Sequence, residues 1–107
     1  MTVIWPEAPD QMVVAFDLDD TLARGCYPSP EIGQPIPLAL EGVAYYAGLG
    51  YEILVYTARP ESHKQRIWEW LEQHGIRWMI YDIHCGKPRA GVYIDDKAVA
   101  FPGGLRG

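Results

Sequence analysis

The chain has 107 residues, 49% of them apolar and 21% charged, with a formal net charge of −5. That length supports one small domain around one core, and that composition belongs to a folded globular protein, not a disordered or fibrous one. The acidic balance argues against a broad electrostatic grip on nucleic acid.

The opening MTVIWPEAPD is acidic and broken by Pro6 and Pro9, which is not the pattern of a signal peptide. No apolar run reaches the ~20 residues that a membrane-spanning helix needs. Cys26 and Cys85 stand far apart, outside any CxxC pattern, and read as free thiols of a reducing compartment. A cytoplasmic protein with no membrane partner is expected.

From Met12, MVVAFDL is a short apolar run rich in β-branched residues, as in a strand buried on both faces of a parallel sheet. ARGCYPSPEIGQPIP follows and, with its four prolines and two glycines, must be mostly loop. PLALEGVAYYAGLG has Leu38, Gly42, Tyr45 and Leu49 near helical spacing, with Pro37 suited to a first turn and Gly50 to a stop. YEILVYT is a second buried strand ending at Thr57. RPESHKQRIWEWLEQHG is a stronger helix, with Ile67, Trp70, Leu71 and His74 on one face and Gly75 at its end. IRWMIYD is a third strand and GVYIDD a fourth.

Strands alternating with helices imply βαβ units, a parallel sheet and right-handed crossovers. The fold class expected is α/β: one domain over 1–107, three-layered and Rossmann-like, with a small parallel sheet flanked by helices. Ligands of such sheets bind beyond the carboxyl ends of the strands. Asp17 with Asp19, then Thr57, then Asp95 with Asp96 all stand at predicted strand ends, so acids remote in the chain become neighbours. Carboxylates converging on one spot need a cation or a proton to coexist. Mg²⁺ takes one or two carboxylates plus waters and substrate phosphate, and Lys87 in CGKPRAG offers a further charge for a phosphate dianion.

Four segments in order, VVAFDLDDT, ILVYT, GKP and VYIDD, resemble the motifs of the haloacid dehalogenase (HAD) superfamily of phosphohydrolases. The likeness runs from Val13 to Phe101 and is to a small, capless, phosphatase-like member. It implies that Asp17 is a nucleophile that forms an aspartyl-phosphate. It implies that Asp19 is the acid and base, with its backbone carbonyl a metal ligand. In the superfamily an Asp at this position marks phosphatases and mutases. The resemblance further gives Thr57 a phosphoryl hydrogen bond, Lys87 the charge between Asp17 and phosphate, and Asp17, Asp19, Asp95 and Asp96 the Mg²⁺ shell. Thr21 is expected to brace the turn by hydrogen bonding, and Asp20 to point away from Asp17 and Asp19 in a structural or solvated role. Arg59 is expected either to meet a substrate anion, to pair with Glu61 or to face water.

No segment is long enough for a cap domain: 22–38 holds only a loop, and 58–83 one helix and one strand. An open site suits a large substrate, such as a phosphorylated end of a macromolecule, a second subunit of a homo-oligomer as lid, or weak specificity. The partner expected is a phosphorylated substrate, small molecule or macromolecular end. The function expected is Mg²⁺-dependent hydrolysis of phosphate monoesters. The alternatives are phosphoryl transfer by the same residues and a non-catalytic binding or regulatory domain.

Overall fold

The computed structural model describes residues 13–25 and 27–95, together with the backbone of 99–101 and 104–105. In chain order the elements are β1 (Val13–Asp17), α1 (Pro37–Gly48), β2 (Glu52–Thr57), α2 (Lys64–Gln73), β3 (Ile80–Cys85), β4 (Val92–Ile94), β5 (Val99–Phe101) and β6 (Gly104–Leu105). Short 3₁₀ turns occupy Glu61–His63 and Arg77–Met79.

The sheet order is β3-β2-β1-β4-β5-β6. Strands β1 to β4 are parallel to their neighbours, and β5 and β6 extend the sheet antiparallel. This is a three-layer, Rossmann-like α/β arrangement. The terminal antiparallel pair was not foreseen from the sequence, because strands of three and two residues carry no readable period.

The crossovers β1-α1-β2 and β2-α2-β3 step in the same direction, so right-handedness puts both helices on one face. There Ala39, Val43 and Tyr46 of α1 and Ile67, Trp70 and Leu71 of α2 pack on Val14, Phe16, Ile53, Val55 and Ile83. The return from β3 to β4 covers the other face. It starts where the Gly86 N–H donates to the Thr57 carbonyl (2.9 Å) and ends where the Gly91 N–H donates to the Val13 carbonyl (2.8 Å). Between them Ala90 is buried against Ala15 and Leu54. Six residues thus do the covering work of a helix on this side.

Two expectations need correction. In α1 the buried residues are Ala39, Gly42, Val43 and Tyr46, whereas Leu38, Tyr45 and Leu49 are exposed. Small side chains face the sheet because they let the helix approach closely, so that Tyr46 meets Phe16 edge-on at 6.3 Å between ring centroids. The third strand begins at Ile80, later than expected. Arg77–Met79 forms a 3₁₀ turn after Gly75, which the Trp78 indole N–H holds by donating to the Gly75 carbonyl (3.1 Å).

Candidate active site

β1 delivers Asp17 to the carboxyl edge of the sheet, and the chain then turns at once. The Leu18 carbonyl accepts the N–H groups of Thr21 (3.3 Å), Leu22 (3.0 Å) and Ala23 (3.0 Å). Strand alternation therefore stops before Asp19, and the turn aligns the acids instead. Asp17, Asp19 and Asp20 line one cavity of about 300 Å³ with Gly25, Tyr27 and Ala58.

Each member of this turn has a separate job. The Asp17 carboxylate accepts the Leu18 N–H (2.9 Å). Asp20 adopts a left-handed backbone (φ 65°), and its carboxylate accepts the Gly25 N–H (2.8 Å), closing the loop. A side chain at Gly25 would strike that carboxylate. The Thr21 hydroxyl is buried and has no hydrogen-bond partner among the described residues, so the brace expected of it is not made.

Asp19 is held differently. Arg59 Nε donates to one oxygen of its carboxylate and Nη2 to the other, both at 2.9 Å, a bidentate charge-assisted pair. The Arg59 side chain is 0% exposed. Its remaining donors reach the Ser29 carbonyl (2.9 Å), the Glu31 carbonyl (3.0 Å) and His63 Nδ1 (3.2 Å). All five N–H groups of the guanidinium are thereby matched, as burial of a cation demands. The Tyr27 ring lies against the same group, 5.4 Å from centroid to Cζ. Arg59 thus neither faces water nor pairs with Glu61, whose carboxylate meets Lys64 at 3.2 Å.

The loop that Arg59 grips spans 24–35. Its two limbs are tied by hydrogen bonds from the Arg24 N–H to the Gln34 carbonyl (2.9 Å) and from the Ile36 N–H to the Leu22 carbonyl (2.8 Å). The Trp70 indole N–H donates to the Gly33 carbonyl (3.0 Å) and fastens the loop to α2.

The other expected residues are spread along the same edge. Thr57, buried at the end of β2, accepts the Arg59 backbone N–H on its hydroxyl (3.0 Å) and is not part of the cavity wall. Lys87 is exposed, and its ammonium rests 4.3 Å from the Tyr93 ring centroid, on the sheet face that also carries Ala15. The Tyr93 hydroxyl donates to the Pro88 carbonyl (2.8 Å) and accepts the Ala90 N–H (3.1 Å), which fixes the lysine's loop. Asp95 follows β4 directly. Since Phe16 is registered with Ile94, Asp95 emerges beside Asp17. Asp96 lies outside the described residues.

Asp17 and Asp95 are the described carboxylates whose placement suits a shared hard cation; the Asp19 side chain has both oxygens engaged by Arg59. No cluster of three His, Cys, Asp or Glu side chains forms a closed metal cage among the described residues. That donor set, all carboxylate oxygen, fits Mg²⁺, which keeps waters and needs few protein ligands, better than zinc, whose sites are built mainly on His nitrogen and Cys sulfur. Cys85 offers no thiolate, because burial pushes its thiol up, with the Glu61 charge adding to the shift.

The family model described as the LNS2 domain of PITM 1-3 matches residues 14–96. The chain belongs to the LNS2 domain family. That family is HAD-like, in line with the motif order along the chain. Membrane-associated phosphatidylinositol transfer protein 3 of mouse and that of human are each 36% identical over 63 residues. The match takes in 59% of this chain and 6% of either relative's length. A conserved protein from Bacteroides thetaiotaomicron shares the fold, with a TM-score of 0.65 at 23% identity over 89% of this chain and 81% of the other. No described helix of this LNS2 domain is long and apolar enough to cross a membrane.

Sequence reasoning missed four parts of the LNS2 site: Arg59 as the partner of Asp19, and Gly25, Tyr27 and Ala58 as cavity walls. A signal for Arg59 was present, since a cation directly after a buried strand must find acceptors there or leave the core. Tyr27, in a proline-rich loop, carried none.

Proposed function

We propose that this LNS2 domain hydrolyses phosphate monoesters with Mg²⁺ as cofactor and Asp17 as nucleophile. The observation that carries the reading is the meeting of Asp17 and Asp19 in one cavity at the carboxyl edge of a parallel sheet, with Asp95 in register beside Asp17. The cation, for which Asp17, the Asp19 backbone carbonyl, Asp95 and Asp96 would be the ligands, would neutralise phosphate charge and orient it for in-line attack. The residues do the rest. An Asp17 oxygen forms a bond to phosphorus as the ester P–O bond breaks, and the leaving oxygen takes a proton from Asp19. Water then attacks phosphorus, the bond to Asp17 breaks, and Asp19 takes the water's proton. Both Asp19 oxygens accept from Arg59, so Asp19 would exchange its proton on the part of the carboxylate that borders the cavity. Thr57, outside the cavity wall, and Lys87, resting on Tyr93, would have to turn toward the cavity to supply a hydroxyl and a positive charge to the phosphoryl oxygens. The open cavity suits a phosphorylated small molecule or a macromolecular end, in the cytoplasm or at a subunit interface.

A second reading has one observation in its favour. Arg59, itself buried, holds both oxygens of the partly exposed Asp19 carboxylate in a bidentate pair. A site that binds a phosphate group without turning it over, as a regulatory domain, would keep this arrangement. The relatives' name, phosphatidylinositol transfer protein, makes a phosphorylated headgroup one such ligand. Phosphate release from an aryl phosphate with and without Mg²⁺ separates the readings. Mg²⁺-dependent turnover that Asp17→Asn removes supports hydrolysis. Binding of inorganic phosphate without any release supports the second reading.

A further inference from the structure

We propose that Arg59 is a positioning residue that makes the Asp19 carboxylate and the 24–35 loop one mechanical unit. The inference deepens the phosphohydrolase reading and rests on it for its catalytic consequence. One guanidinium reaches three segments: Asp19 in the turn after β1, the Ser29 and Glu31 carbonyls of the loop, and His63 ahead of α2. Its planar fork fixes both carboxylate oxygens in one orientation, which a lysine with its single nitrogen cannot do. The two loop carbonyls hang on the same group, so displacing the loop pulls on the group that orients the acid. Tyr27, on that loop, both packs on Arg59 and lines the cavity, which joins the loop's position to the space a substrate would enter. Arg59 itself is 1% exposed and outside the cavity wall, so it acts through Asp19 and not by touching substrate.

Loop tension is read without any turnover. In the full ¹⁵N-labelled chain the Arg24 and Ile36 amides, both bonded across the loop's base, report on it by hydrogen exchange, with the Val55 amide of β2 as core reference. The buried Arg59 Nε–H gives its own slowly exchanging resonance. Asp19→Asn replaces one acceptor oxygen with a donor. It is expected to abolish that resonance and to speed Arg24 and Ile36 exchange about tenfold relative to Val55. Unchanged exchange ratios would overturn the coupling. Arg59→Lys, which keeps the charge, is expected to loosen the same two amides. On an aryl phosphate it should lower kcat on the order of 100-fold, the cost of a misplaced acid, with KM within about twofold. A raised KM with kcat kept would mean that Arg59 contacts substrate, and would overturn the positioning role. If the wild-type chain releases no phosphate, the hydrolase reading fails, while the exchange ratios still decide whether acid and loop are joined.

Discussion

Gly33 is a residue whose single hydrogen atom matters. A Cβ there would overlap the Arg24 carbonyl oxygen, and Arg24 is the same residue whose N–H ties the loop's two limbs. The obstacle is backbone, which cannot swing aside as a side chain can. The Gly33 carbonyl also accepts the Trp70 indole N–H, so a shift of Gly33 would break the fastening to α2. Gly33→Ala should therefore destabilise the fold by ~1–3 kcal/mol, the usual cost of overpacking. A urea titration would show this as a lower midpoint at unchanged slope; an unchanged midpoint would mean that the loop is free to move. Such dependence is hard to see in a sequence. Asp17, Asp19 and Asp20 stand out because they crowd within four positions behind an apolar run. Arg59 does not, because its five partners come from positions 19, 29, 31 and 63 and converge only in three dimensions.

At the scale of elements, legibility followed the strength of the periodic signal. β1 and β2 are continuous apolar runs, readable within a residue of their ends. The apolar stripe of α2 through Ile67, Trp70 and Leu71 gave its existence but not its start, which comes at Lys64 after a 3₁₀ turn and not at Arg59. α1 is apolar nearly all round, and its direction was not readable, because close packing favoured Ala39, Gly42 and Val43 over larger neighbours. Tyr46 offers a direct check of that corrected face. Burial, with the neighbouring Tyr45 and Tyr51 hydroxyls, pushes its pKa from 10.0 to about 12. The folded state thus keeps a proton that the unfolded chain releases above pH 10. Its contribution to stability is intact below pH 10, falls as pH rises toward about 12, and then levels off. Unfolding midpoints measured from pH 9 to 12 should fall more steeply for wild type than for Tyr46→Phe. Equal slopes would place Tyr46 in water.

For the molecule as a whole, topology turns a one-dimensional pattern into a site. Parallel strands bring every carboxyl end to one edge, and the β1–β4 register sets Asp95 beside Asp17 although 77 residues lie between them. Two carboxylates at one edge suit a hard divalent cation, which takes oxygen ligands. A cation that binds only the folded state stabilises the protein by mass action. At about ten times its Kd, Mg²⁺ should add ~1.4 kcal/mol, since RT ln(1 + [L]/Kd) governs the gain. For a domain of this size that is roughly a 5–10 °C rise in Tm. Asp95→Ala removes one ligand, so the rise in its Tm on adding Mg²⁺ should be smaller than that of wild type. An equal Mg²⁺ response in both proteins, measured by calorimetry, would mean that the ion binds elsewhere and that the shared edge does not join Asp95 to Asp17 in one coordination shell.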